Sequence, residues 1–205
     1  MCNERVSRLL QLSLICVLAV AANLLVMIFR HLAVFPLFLD TVFTVAVTFV
    51  FGFFPGLAVV ALTWITDSLL GITTHPFHPF VIVAIAEVFL VHILKPASQP
   101  LPGLSFSIVG RLIPVYAACV LAVSVLGGVI DFAYHTVWDV QRPYYTGINV
   151  LRMAFLREGV HVLPANILSR VLVNMVDRLA VIFGGYLISL GIGRILQKKQ
   201  SAVSD

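Results

Sequence analysis

The sequence predicts an all-α fold: a polytopic transmembrane helical bundle of about six spans, forming one integral membrane domain over 1–205. Three observations predict it. Of 205 residues, 60% are apolar and 11% charged, against roughly 25% charged in ordinary soluble domains, so most of the surface must face lipid. Several apolar stretches approach the roughly 20 residues that cross a hydrocarbon core, and short polar or Pro/Gly breaks separate them. Lys and Arg gather near the ends of these stretches rather than on one patch.

The first span is expected over about 8–30. Arg5 and Arg8 before an apolar run that reaches Ala19-Val20-Ala21 resemble a cleavable leader. The run continues through Leu24, Leu25, Val26, Met27 and Ile28, so it reads as a retained helix. Spans two and three are expected at 38–53 and 55–72, broken by Phe51-Gly52-Phe53-Phe54-Pro55-Gly56, since proline favours a helix start and disfavours helix before it. Thr74-His75-Pro76-Phe77-His78-Pro79 separates the third from a fourth at 79–95, and Pro96, Pro100, Pro102 and Gly103 precede a fifth at 110–130. A loop over 131–172 follows, in which Ile148, Leu151 and Phe155 recur at helical spacing opposite Arg152 and Glu158 and predict a short amphipathic helix on the outer face. The last span is expected at 173–196.

Six spans place both termini on one side. With that side inward, the inner segments carry Arg5, Arg8, Lys95, Arg111, Arg194, Lys198 and Lys199, while the outer ones carry most of the acidic residues, including Asp40, Asp67, Asp131 and Glu158. The positive-inside rule then makes both termini cytoplasmic and the location the cell inner membrane. The net charge of +4 is spread over helix ends, which argues against nucleic-acid binding. Cys2, Cys16 and Cys119 are scattered and odd in number, so they suggest no disulfide framework. His75, His78, His135 and His161 share the expected outer side without an HExxH or CxxC pattern, and no metal or cofactor is expected. With no glycine-rich phosphate loop and no GxSxG, the chain does not read as an enzyme.

Ionisable groups at membrane depth are costly and usually face protein or a water-filled cavity. Asn166, Arg170, Asn174 and Asp177 fall on one narrow arc if the segment is helical, because steps of four, four and three residues nearly complete whole turns. That stripe is expected to start in the outer loop, enter the bundle near Asp177, and hydrogen-bond a polar solute. Pairing among loop charges is the alternative, with Arg178 snorkelling to the interface. Glu87, in the middle of the fourth span, needs a partner such as Arg170, a ligand or a proton. Tyr134, Trp138, Tyr144 and Tyr145 suit an interfacial aromatic belt, or flat surfaces for a planar ligand. Ser13, Cys16, Ala19 and Ala22 recur every third residue on the first span, open to partner docking or internal packing.

Two passages resemble the substrate-binding membrane subunits, or S components, of energy-coupling factor transporters: Phe38-Leu39-Asp40-Thr41-Val42-Phe43-Thr44 followed by Phe51-Gly52-Phe53-Phe54-Pro55-Gly56, and Val173-Asn174-Met175-Val176-Asp177-Arg178-Leu179. The resemblance implies capture of a vitamin-class small-molecule solute from outside, with Glu87, Arg170, Asn174, Asp177, Tyr134 and Trp138 as substrate-binding residues. It implies as partners a transmembrane coupling protein and two cytoplasmic ATPases, which drive reorientation of the S component in membrane lipid. It also implies docking through an alanine-xxx-alanine pattern on the first helix; Ala19 and Ala22 stand there, with Asn23 in place of the second alanine of that register. A membrane sensor or scaffold without a transported solute is the competing expectation.

Overall fold

The computed structural model describes residues 2–33, 37–72, 79–96, 103, 105–136 and 147–204. Among them the chain is all-α, with seven helices: α1 (Cys2–Ala33), α2 (Val42–Phe51), α3 (Phe53–Leu70), α4 (Phe80–Leu94), α5 (Phe106–Thr136), α6 (Gly147–Arg157) and α7 (Val162–Ser204). Four contain stretches long and apolar enough to cross a membrane, Leu9–Phe29, Phe53–Leu70, Phe106–Tyr134 and Val162–Lys198, so this is a multi-pass membrane protein. The expected second and fourth spans are shorter apolar helices of 10 and 15 residues. At 1.5 Å per residue they reach only about 15 and 22 Å.

Each boundary has a local cause. Residues 38–41 are not helical although they belong to the expected second span; the backbone at 38 and 39 is held by a carboxylate of α7, described below. Gly52, with φ of 92°, makes the turn between α2 and α3 in a conformation that side-chain-bearing residues rarely adopt. Pro55 then sits in the first turn of α3, where its missing N–H has no helical acceptor to lose. Gly71, with φ of 63°, ends α3 as a left-handed cap. Lys95 closes α4 and turns its ammonium onto the last carbonyls of α2, donating to Thr48 O at 3.0 Å and Phe49 O at 3.2 Å. Burial there pushes the Lys95 ammonium below its ordinary pKa.

The expected loop over 131–172 is corrected. α5 runs on to Thr136 and α7 begins at Val162, so only the stretch between them, with α6 inside it, connects the two. Charged residues at 131 and 170 look like loop residues one at a time. They face each other across the helix pair and ion-pair, so neither helix has to stop. The short helix forms, with Ile148 buried, Leu151 and Phe155 half-buried and Glu158 facing outward as the pattern predicts, but Arg152, expected on that outward face, is half-buried instead; the helix packs on α7.

α2 is central. Thr44 to Phe49 are buried without a break, which explains its unpatterned apolar sequence. Val45 and Phe49 join a core with Val91 of α4, Leu112, Val115 and Cys119 of α5, and Val181, Ile182 and Tyr186 of α7. Val47, on another face, joins Cys16, Ala19, Val20, Leu24 and Met27 of α1 and Val59 of α3. Tyr186 meets Phe49 edge to face, 5.3 Å between centroids. Lipid tails are as apolar as these side chains, so close packing and polar pairing, rather than exclusion from water, must hold the helices together. Gly128 shows the closeness: a Cβ there would lie 2.6 Å from Ile167 Cγ1 and 2.9 Å from its Cα.

Candidate polar site at membrane depth

The stripe expected on the last span is present on one continuous helix, α7. Asn166, Arg170, Asn174 and Asp177 are 1%, 4%, 0% and 0% exposed, so all four face protein rather than lipid. They do not share one partner. Arg170 Nε donates to Asp131 Oδ2 of α5 at 2.6 Å. The guanidinium carbon lies 4.8 Å from the ring centroid of Phe80 and 5.9 Å from that of Phe38. Tyr134 is buried behind Phe80, stacked at 6.4 Å, rather than placed in a belt at the lipid surface. Asn174 Nδ2 donates to Ser124 Oγ of α5 at 3.0 Å.

Asp177 anchors the unwound stretch before α2. Its Oδ1 accepts the backbone N–H groups of Phe38 at 2.8 Å and Leu39 at 3.0 Å. Asp177 stands about 22 Å along α7 from Val162, near the middle of the apolar stretch Val162–Lys198. Non-helical backbone inside a membrane-embedded bundle needs internal hydrogen-bond partners, and this carboxylate supplies two. It also holds Leu39 at φ of 44°, a left-handed conformation that costs an ordinary residue about 1–2 kcal/mol.

The other Asp177 oxygen serves Arg178, whose Nε donates to Oδ2 at 2.9 Å while Nη2 pairs with the same atom. Arg178 Nη1 donates to Thr41 Oγ1 at 3.0 Å and pairs with Glu87 Oε1 of α4. Two expectations are corrected here. Arg178 does not snorkel outward: it is 3% exposed, wedged between α2 and α4. Glu87 meets Arg178 rather than Arg170, which is paired with Asp131 of α5 instead. The signal for Arg178 was in the sequence, as an Asp-Arg doublet in the middle of an apolar run.

Some hydrogen-bonding capacity on the stripe is left over. Both amide atoms of Asn166 and the Oδ1 of Asn174 are buried and have no partner among the described residues; Arg152 Nε, on α6, is in the same condition. On α1, Ala19 is buried against Val47 and Val59, and Ala22 is half-buried. Asn23 is fully buried and donates to Thr44 Oγ1 at 2.8 Å. Of the small-residue register of α1, Cys16 and Ala19 pack inside the protein, Ala22 is half-buried and Ser13 is exposed, and the exposed face includes Leu14, Val17, Leu18 and Leu25. Trp138 lies outside the described residues, as do Tyr144, Tyr145, His75 and His78. Among the described residues no three His, Cys, Asp or Glu side chains converge as a metal site.

The site is thus a buried polar seam down α7, charge-paired at Asp131–Arg170 and at Glu87–Arg178–Asp177, and unsaturated at its asparagines. No protein-family model matches the chain, and neither a curated protein nor a solved structure matches it.

Proposed function

We propose that this protein is the solute-binding subunit of an importer of the energy-coupling factor type, taking up a vitamin-class micronutrient with a transmembrane coupling protein and two ATPases. In this reading both termini are cytoplasmic, and the protein lies in the inner membrane with α2 and α4 completing the bundle. One observation carries it: Asn166 and Asn174 keep unsatisfied amide atoms in a lipid-embedded bundle, a turn either side of the buried Arg170. A buried amide without partners costs about 1–3 kcal/mol, so a purely structural seam has reason to shed these asparagines, whereas a solute with polar edges supplies what they lack. Arg170, Asn166 and Asn174 are assigned to solute contact, with Tyr134 and Phe80 as the aromatic wall beside them. Glu87, Asp177 and Arg178 are assigned to positioning, since they bind one another and fix the segment before α2.

The test is native mass spectrometry of the protein extracted gently from its own membranes, followed by equilibrium binding of whatever small molecule is retained. The expected result is a vitamin-sized ligand, saturable binding, and copurifying ATPase subunits; Asn166→Leu and Asn174→Leu each weaken binding about tenfold or more. A folded protein that carries no solute and copurifies with a signalling protein refutes the proposal and favours a sensor.

A further inference from the structure

The atoms left unsatisfied on α7 specify a solute by what each can donate or accept. Asn166 is 1% exposed, and both its amide oxygen and its amide nitrogen lack a hydrogen-bond partner among the described residues. Asn174 differs: its Nδ2 is committed to Ser124 Oγ of α5 at 3.0 Å, and only its Oδ1 is left over. The two asparagines stand about 12 Å apart along the helix, with Arg170 midway between them. Arg170 is paired with Asp131, so an uncharged solute lies beside it without stranding its charge.

Few functional groups answer this set. A carboxylate only accepts, so it satisfies Asn166 Nδ2 and strands both Oδ1 atoms; an ammonium only donates, so it satisfies the oxygens and strands the nitrogen. A cis-amide edge, with N–H and C=O side by side as in a lactam or a cyclic imide, presents one donor and one acceptor. It pairs with a carboxamide through two parallel hydrogen bonds, as asparagine pairs with the donor–acceptor edge of adenine. Such an edge is flat, and a flat surface stands beside it. The pairings of Ser124 with Asn174 and of Asp131 with Arg170 run α5 antiparallel to α7. A turn beyond them, that register brings Tyr134 level with Asn166, its ring stacked on Phe80. We propose that the α7 seam selects an uncharged solute with a lactam-type edge, paired to both amide atoms of Asn166, and a hydroxyl or N–H group at its other end that donates to Asn174 Oδ1. The proposal rests on the solute-binding reading of α7 and narrows it to one chemical class. Ser124 is a positioning residue in it, because occupying Asn174 Nδ2 leaves that amide to act as an acceptor.

The experiment is saturation-transfer NMR on the detergent-solubilised full chain with small aromatic probes. 2-Pyridone carries the edge; N-methyl-2-pyridone keeps the carbonyl and loses the N–H; benzoate only accepts and benzylamine only donates. 2-Pyridone is expected to bind saturably, about tenfold or more tighter than the other three. Asn166→Leu removes that preference, and so does Asn166→Asp, which exchanges the donor for a second acceptor; helical circular dichroism establishes that both variants fold. Equal binding of 2-pyridone and its N-methyl derivative overturns the proposal, as does a preference for 2-pyridone that folded Asn166→Leu retains. Benzoate or benzylamine binding best, and lost in Asn166→Leu, overturns the lactam class while leaving the seam as a solute site. Binding of none of the four overturns it too, and the importer reading falls with it only if native mass spectrometry also finds no retained solute.

Discussion

Replacing Arg178 by methionine tests the central feature of this structure, a charge cluster assembled from α4, α7 and the unwound stretch before α2. The side chain is 3% exposed, and the carboxylates it serves, Glu87 and Asp177, are 1% and 0% exposed, so no water takes its place. Asp177 keeps the Phe38 and Leu39 N–H groups after the change, whereas Glu87 loses the ion pair recorded for it. Removing one partner of a buried pair costs about 3–5 kcal/mol. At about 2–4 °C per kcal/mol for a chain of this size, Arg178→Met lowers the melting temperature in detergent by about 10 °C. Glu87→Gln in the Arg178→Met background restores part of the loss, and a double-mutant cycle gives a coupling of about 1.5 kcal/mol or more between the two positions. Melting unchanged in Arg178→Met, or a coupling below about 0.5 kcal/mol, refutes the cluster as a determinant of stability.

Other consequences follow from the packing and from the backbone. Gly128→Ala puts a Cβ against the Ile167 backbone of α7 and lowers stability by about 1–3 kcal/mol; Gly184→Ala, whose Cβ meets nothing within 4 Å, stays within about 0.5 kcal/mol of the parent. Thermal melts of the pair check both. Asp177→Ala strands two backbone donors, so amide hydrogen exchange at Phe38 and Leu39 speeds up about tenfold or more while exchange in the α5 core around Val115 is unchanged; equal protection at 38 and 39 counts against the anchoring role.

How much of this was legible beforehand differs from residue to residue. The amphipathic pattern of Ile148, Leu151 and Phe155 announced α6, and the Pro/Gly cluster at 51–56 announced the α2–α3 turn, because local propensity and period decide such features. The ends of α5 and α7 were misjudged because Asp131 and Arg170 read as polar loop residues until each is seen to neutralise the other. The stripe Asn166, Arg170, Asn174, Asp177 was legible from spacing alone, since helical steps determine which residues share a face. Which partner each would find was not, and on α1 periodicity reveals a close-packing face without revealing what lies against it, which for Cys16 and Ala19 is Val47 of α2 and Val59 of α3.

Composition and hydrophobic pattern by themselves determined that this chain is helical, embedded in membrane, and carries polar residues on one face of its last helix. These are properties of single segments, each answerable to lipid on its own. Only the tertiary structure decided that Arg178 joins Glu87 to Asp177, that Asp177 holds the unwound backbone at 38 and 39, and that Asp40 and Thr63 face a common recess. These groups lie up to 139 residues apart in the chain, and a buried charge finds its partner by proximity in space, which no local pattern encodes.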